Sequence, residues 1–274
     1  MLNAKLKSPA KINQFLHING KINKLHELQS LMQFIDLNDE IQISKTKKQY
    51  IDVKCNKPIV RTENLVYKAA EIMKNYATDF FNVSIELTKN IPIGAGLGGG
   101  SSNAATTMVA LNQIWSCGLT TEKLIDIGIN LGSDIPFFIQ GKSAFVEGVG
   151  DQITPFNYDE DWLFLVFPEQ FVSTRELFND PNLVRNTPKI NKNKQEIEAA
   201  TNNFKEILIN KYKKIETTYK EIQKIGKPQI TGTGSCIFTR NKTKDAALKM
   251  RKALDIDDSK IFIVKTLNKS PLFL

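Results

Sequence analysis

Residues 90–103 read Asn90-Ile-Pro-Ile-Gly-Ala-Gly-Leu-Gly-Gly-Gly-Ser-Ser-Asn103, and five of the chain's 15 glycines fall between Gly94 and Gly100. Upstream, Phe81, Val83, Ile85 and Leu87 alternate with Phe80, Asn82, Ser84 and Glu86, the period of a half-buried strand. Downstream, Ala104, Met108, Leu111 and Trp115 recur at helical spacing, with Ser101 or Ser102 placed to cap the helix. The order is strand, glycine-rich loop, helix N-terminus. Glycines leave backbone N–H groups uncovered, and a helix start adds free donors and partial positive charge, so the loop can cradle a phosphate. An ordinary surface loop is rarely flanked so closely by a buried strand and a capped helix.

Other phosphate-binding patterns fit less well. Gly94-x-Gly96-x-x-Gly99 matches a dinucleotide fingerprint, which also wants an acidic residue ending a second strand about 20 residues on. The nearest candidate, Glu122, sits in Thr120-Thr121-Glu122, a helix start. A Walker loop fails because Gly100 stands where its lysine belongs. No His-Arg-Asp or Asp-Phe-Gly sequence occurs, which excludes a eukaryotic-type protein kinase.

A length of 274 residues suits one large domain or two ordinary ones, and 41% hydrophobic with 24% charged residues is the balance of a soluble globular protein. The net charge of +8 suits an anionic ligand, although runs such as Lys45-Thr46-Lys47-Lys48 and Lys211-Tyr212-Lys213-Lys214 read as solvated faces. No arginine-rich patch with interleaved aromatics appears, which argues against nucleic acid as a partner. Cys55, Cys117 and Cys236 are odd in number and widely spaced, as expected of reduced thiols in a cytoplasmic protein. The longest apolar run, Trp162 to Phe167, is too short to span a bilayer, and no signal-peptide core is expected at the start.

Along the chain, Pro9 to Ile18 reads as a strand with Ala10, Ile12, Leu16 and Ile18 on one face and Lys11, Asn13, Phe15 and His17 on the other. Lys11 by this pattern alone is a solvated lysine. A polar turn is expected over Gly20–Lys24, strands over Leu31–Leu37 and Glu40–Ile43, and a helix capped by Thr62 with Leu65, Ala69, Ile72, Met73 and Tyr76 as its apolar stripe. Asp134 sits in Asn130-Leu-Gly-Ser-Asp-Ile-Pro-Phe-Phe138, between apolar residues and beside a proline, which suits a partly buried carboxylate as well as a turn former. A hairpin is expected around Gly148-Val149-Gly150. Beyond a break near Thr154-Pro155 the pattern becomes β-α-β-β-α-β, a ferredoxin-like order, with a second glycine turn at Gly232-Thr233-Gly234. The segment Asn179–Gln195 is long for a connection and is a candidate lid.

Three separated signatures, Pro9-Ala10-Lys11-Ile12-Asn13, Pro92 to Ser102 and Ile230-Thr231-Gly232-Thr233-Gly234-Ser235-Cys236, resemble those of the galactokinase, homoserine, mevalonate and phosphomevalonate kinase superfamily. Phe15-Leu16-His17-Ile18, His26-Glu27-Leu28-Gln29, Leu131 to Phe138, and Asp180-Pro181 with Arg185-Asn186-Thr187-Pro188 are similar to the branch acting on a cytidine-diphosphate-linked methylerythritol. The resemblance covers nearly the whole chain. It implies an α+β, two-domain fold, an N-terminal ATP-binding α/β domain over 1–155 and a ferredoxin-like domain over 156–274, with the active site in the cleft between. It implies ATP and Mg²⁺ as cofactors, with no protein ligand set for the metal legible from spacing.

By that resemblance Asp134 would take the proton of the acceptor hydroxyl and Lys11 would pair with it and steady the phosphoryl group in flight. Pro92-Ile93-Gly94-Ala95-Gly96-Leu97-Gly98-Gly99-Gly100-Ser101-Ser102 would wrap the phosphates, and Gly232-Thr233-Gly234-Ser235 would close from the other domain. Asn64 and Lys89 match adenine-pocket positions, Asn13 and His26 match cytidine contacts, and Phe178 matches an aromatic that stacks on cytosine. Two departures stand out: Leu25 replaces a tyrosine before His26, and Asn202-Asn203 replaces an Asn-Asp pair. A kinase of a simpler alcohol such as homoserine or mevalonate, and a catalytically silent nucleotide sensor, are the competing readings. The first needs no base-stacking His26 and Phe178, and the second needs neither Lys11 nor Asp134. Monomer and homodimer both stay open.

Overall fold

The computed structural model describes residues 2–23, 25–256 and 260–273. The chain opens with a long antiparallel hairpin of β1 (Lys5–Ile22) and β2 (Leu25–Lys45). Alternation led us to expect one buried face on β1, yet every residue from Ser8 to Ile18 is buried. One reason is cover from the C-terminal half: the Leu16 N–H donates to the Thr201 carbonyl and the Asn203 N–H to the Leu16 carbonyl. Lys11, solvated by pattern alone, is therefore 4% exposed. β2 is one strand where two were expected, because Asn38 and Asp39 still pair with Pro9 and Ser8 beyond a bulge at Asp36 and Leu37. Of the turn expected over Gly20–Lys24, Gly20 to Ile22 belong to β1, and Lys24 lies outside the described residues.

β3 (Asp52–Cys55) lies parallel to β4 (Val83–Thr88), connected through α1 (Leu65–Lys74). The cap of α1 is Asn64, whose Oδ1 accepts the Val66 N–H at 2.9 Å, two residues later than the expected Thr62. After the glycine-rich loop, α2 (Gly99–Ile114) is buried without interruption from Ser102 to Leu111. Small and apolar side chains on every side let it run through the protein interior. Its cap residue is Gly98, at φ 69°, so Ser101 and Ser102 lie inside the first turn rather than capping it. α3 (Thr121–Gly128), capped by Thr120, and α4 (Ile135–Gln140) follow, then the expected hairpin of β5 (Ala144–Gly148) and β6 (Gln152–Pro155).

β7 (Trp162–Val166) leads into short helices α5 (Thr174–Phe178), α6 (Lys194–Ala199) and α7 (Lys205–Lys211), which the sequence pattern did not show. Then come α8 (Lys213–Gln223), β8 (Gln229–Ile230), β9 (Ile237–Asn241), α9 (Lys244–Ala253) and β10 (Ile261–Leu267). The strands run β10-β7-β9-β8, all antiparallel, which is the expected ferredoxin-like arrangement. Thr266 and Leu267 of β10 also pair with Ile35 and Phe34 of β2, making one continuous ten-stranded sheet. The segment read as a candidate lid is tied to the first hairpin: the Thr187 N–H donates to the Ile18 carbonyl at 3.0 Å and the Ile190 N–H to Gln29 Oε1 at 2.8 Å.

Candidate active site

The glycine-rich loop alternates two kinds of residue. Gly94, Gly96 and Gly98 hold φ of 72°, 76° and 69°, while Ala95 and Leu97 between them are buried in an apolar cluster with Ile91, Leu163, Cys236 and Phe238. Left-handed backbone at every second residue turns the apolar side chains inward and keeps bare backbone along the cavity. Two hydrogen bonds fix the loop: the Lys11 N–H donates to the Leu97 carbonyl at 3.0 Å, and the Cys236 N–H to the Ala95 carbonyl at 3.1 Å. A Cβ on Gly96 would stand 2.6 Å from the carbonyl oxygens of both Thr231 and Gly234. The two glycine turns thus meet backbone to backbone.

They enclose a cavity of about 410 Å³ whose walls include Pro92, Gly94 to Ser101, Gly232 to Gly234, Lys11, Asn13, Lys89, Asp134 and Phe178. Residues from opposite ends of the sequence therefore share one space. Lys11 Nζ donates to Asn13 Oδ1 at 2.6 Å and lies 3.5 Å from Asp134 Oδ2. Asn13 is itself fixed, its Nδ2 donating to Ser30 Oγ at 2.7 Å and its N–H to Thr231 Oγ1 at 2.8 Å. Asp134 occupies the cap position of α4 but makes no side-chain capping bond, so its half-buried carboxylate is left for the cavity and Lys11. A carboxylate and an ammonium held beside a bed of backbone amides suit proton removal and anion stabilisation on one substrate.

Other expected site residues stand apart. Asn64 is buried with its Oδ1 on the α1 cap, while its neighbour Leu65 reaches the cavity wall. Ile93 is 55% exposed, Ser102 is buried against Ser8 Oγ at 2.9 Å, and the buried Ser235 Oγ has no partner among the described residues. Sequence reading missed Gly132, Ser133 and Thr174, which line the cavity, and the bond at 2.9 Å between the Thr174 and Thr233 hydroxyls. It also missed Asp39, whose partners are set by the fold rather than by any local pattern. Asn202, flagged only as half of a dipeptide, donates through Nδ2 to the Ile230 and Gly232 carbonyls at 2.8 and 2.7 Å and so shapes the second turn.

His26 lies just outside the cavity wall, its ring 5.0 Å from that of Phe178 and inclined by 32°. Burial pushes its imidazole below the usual 6.5, helped by the positive charges of Arg185 and Lys21 and opposed by the Phe178 carbonyl. Its Nδ1 is buried and has no hydrogen-bond partner among the described residues. Leu25, in place of the expected tyrosine, is 60% exposed and brings no aromatic ring. His17, the chain's other histidine, is also pushed down by burial, with the Pro188 carbonyl opposing. An imidazole with a depressed folded pKa binds fewer protons than the unfolded chain between that pKa and about 6.5, so stability rises with pH there. Urea unfolding should show stability falling as the pH drops from 6.5 to 5, with a shallower fall in His17→Gln. A flat profile in the parent over that window would remove both imidazoles from the balance.

A phosphate bed formed by two glycine turns, closed over a lysine–aspartate pair, is the organisation of a GHMP kinase. A model described as "GHMP kinases N terminal domain" matches residues 64–142. The 4-diphosphocytidyl-2-C-methyl-D-erythritol kinase of Acinetobacter baylyi is 37% identical over 278 residues, covering 97% of this chain and 96% of that protein. The protein of the same name from Pseudoalteromonas atlantica is 40% identical over 235 residues, covering 84% of this chain and 82% of the relative. The chain belongs to the 4-diphosphocytidyl-2-C-methyl-D-erythritol kinase family. In fold it resembles the crystal structure of a 4-(cytidine 5'-diphospho)-2C-methyl-D-erythritol kinase, with TM-score 0.80 and 24% identity over 96% of this chain and 99% of the other. The Methanococcus jannaschii mevalonate kinase follows at TM-score 0.68 and 16% identity, covering 97% of this chain and 99% of that one. The expected two-domain GHMP kinase fold and ATP-dependent phosphotransferase class hold.

Proposed function

We propose that this chain transfers the γ-phosphoryl group of ATP to the 2-hydroxyl of 4-diphosphocytidyl-2-C-methyl-D-erythritol, a step of the non-mevalonate route to isoprenoid precursors. The reaction takes place in the cleft between units 1–155 and 156–274, in the cytoplasm. The observation that carries the reading is Lys11 Nζ at 3.5 Å from Asp134 Oδ2, inside the cavity that both glycine turns line. Asp134 accepts the proton of the attacking hydroxyl, the oxygen–phosphorus bond forms, and ADP leaves with the electrons of the broken bond. Lys11 and the loop amides lower the cost of the charge spread over the phosphoryl oxygens. The side-chain oxygens on the cavity wall are one carboxylate, Asp134, the amide oxygen of Asn13, and the hydroxyls of Ser101, Ser133, Thr174 and Thr233. With a single carboxylate, that set would suit Mg²⁺ carried in on ATP phosphates rather than an all-protein cage, and the ion would supply charge neutralisation there beside Asp134.

For the cytidine end, His26 and Phe178 supply the recognition chemistry. With Nε2 protonated, His26 Nδ1, which has no partner among the described residues, is an acceptor suited to the exocyclic amine of cytosine. Phe178 offers the ring face, since Leu25 has none. Base stacking on an aromatic is worth about 1–3 kcal/mol, or roughly five- to 150-fold in affinity. Phe178→Ala is therefore expected to raise KM for the cytidine substrate by at least about tenfold while KM for ATP stays nearly constant. Phe178 also packs edge-on against Phe204, with ring centroids 5.0 Å apart. Were the ring only a structural anchor, Tm would fall and both KM values would change alike. The deciding experiment for the reaction is ADP release by the purified protein offered the cytidine substrate, mevalonate and homoserine in turn. Turnover of mevalonate or homoserine alone would replace the reading by a simpler alcohol kinase, and ATP binding without turnover would leave a nucleotide sensor.

A further inference from the structure

We propose that Asp39 is a positioning residue for the ATP side of the cleft, setting both the entry of the glycine-rich loop and the ammonium of Lys89. This rests on the kinase reading above. Asp39 lies in the middle of β2 and is 0% exposed, a place where a carboxylate persists only if its oxygens are fully partnered. Its Oδ1 accepts the backbone N–H groups of Asn90 and Ile91 at 2.7 and 2.8 Å, the first two residues of the loop. Its Oδ2 accepts from Lys89 Nζ and from Asn103 Nδ2, the latter at 2.9 Å. One carboxylate therefore holds the exit of β4, the start of the loop and the first turns of α2 together.

The geometry at Lys89 gives this arrangement a functional direction. Nζ carries three donors; one goes to Asp39 and one to Asn103 Oδ1 at 3.0 Å, leaving one on a residue that lines the cavity. A Cβ on Gly99 would stand 3.1 Å from Nζ, so the ammonium sits against the first residue of α2. A cation there is opposed by the helix dipole and is favoured once an anion arrives in front of it. Asp39 balances that charge when the site is empty and aims it when the site is filled. Asn103 Nδ2 also donates to Ser8 Oγ at 2.9 Å, which carries the same network to β1, three residues before Lys11.

Asp39→Asn keeps the shape and removes the match. An amide oxygen still accepts the two loop N–H groups, but its NH₂ then faces Lys89 Nζ and Asn103 Nδ2, both donors. Steady-state kinetics should show KM for ATP raised by at least about tenfold, the worth of a lost charge-assisted bond. KM for the acceptor alcohol and kcat at saturating ATP should stay within about threefold. A merely structural role predicts a different split, with kcat falling as folded enzyme is lost and both KM values unchanged, and that result would overturn the proposal, as would unchanged kinetics. Should Asp39→Asn fail to fold, Asn90→Pro removes one loop N–H from Asp39, with Asn90→Ala as the control for the lost Nδ2 bond to the Asn38 carbonyl, and keeps both members of the buried ion pair. In that variant a raised KM for ATP alone supports the proposal, and a KM for ATP equal to the parent's overturns it. The parent enzyme is measured in parallel: if it neither binds ATP nor turns over, the kinase reading itself fails and Asp39 loses its role with it.

Discussion

Asp134→Asn is expected to lower kcat about 10²–10⁴-fold, the usual worth of a positioned general base. The substitution keeps the side chain's shape and takes away its ability to accept a proton. The surroundings should tolerate it, because the carboxylate is half-buried at 27% side-chain exposure and caps nothing. Lys11 retains its bond to Asn13 Oδ1, so the ammonium stays where it is when its second partner becomes an amide. ATP rests mainly on the loop amides, and KM for ATP should move by no more than about threefold. Rapid-quench measurement of a single turnover separates the chemical step from product release. A variant that keeps more than about half of the parent's kcat, with a normal melting transition, would take Asp134 out of the mechanism.

What could be read in advance, and what could not, divides by the range of the interactions. The order strand, glycine loop, helix was legible because periodicity and glycine density act over neighbouring residues. The helix start expected at Thr121 held, but the caps of α1 and α2 were misplaced. Thr62 and Asn64 both suit a cap chemically, and α1's entry selected Asn64. At α2 a left-handed Gly98 does the work that serine preference assigned to Ser101 or Ser102. The largest local error was splitting β2 at Asn38-Asp39. Those two polar residues look like a turn, yet Asp39 is held by the Asn90 N–H of the loop 51 residues later, and nearby Asp36 Oδ1 accepts the Lys265 N–H at 2.7 Å. Partners so distant leave no trace in the window of residues around them.

The two departures from the family pattern fare differently under the same physics. Asn203 Oδ1 accepts the Ile18 N–H at 2.6 Å and the Thr187 hydroxyl at 2.9 Å. An aspartate oxygen accepts both equally well, so the exchange keeps the tie between β1 and the segment beside the site. Leu25 is not equivalent to tyrosine in this sense. It stands at the end of the first hairpin opposite Ile22, largely exposed, and the stacking load passes to Phe178. Lys11 shows the converse. Its local pattern gave a solvated lysine, and only the resemblance to other kinases marked it; burial from both halves of the chain supplies the physical reason.

Gly96→Ala is expected to lower kcat/KM for ATP about 10²-fold, the scale of losses that follow a misplacement of about 1 Å in a catalytic framework. Two separate penalties meet at this residue. Its φ of 76° disfavours any side chain, at roughly 1–3 kcal/mol. In addition, the new methyl would lie 2.6 Å from the carbonyl oxygens of Thr231 and Gly234, which are backbone atoms and cannot swing aside. Relief requires the two glycine turns to separate, which stretches the bond from the Cys236 N–H to the Ala95 carbonyl and draws the phosphate bed away from Lys11 and Asp134. Gly118→Ala separates the penalties: its φ is 66° but a Cβ there meets nothing within 4 Å among the described residues, so it carries backbone strain without collision. That variant should lose some Tm and keep its activity, while Gly96→Ala loses both. Calorimetric melting and ATP titration on the pair would decide between them. A Gly96→Ala enzyme with kcat/KM within about threefold of the parent would show that the contact between the two turns is not what forms the phosphate bed.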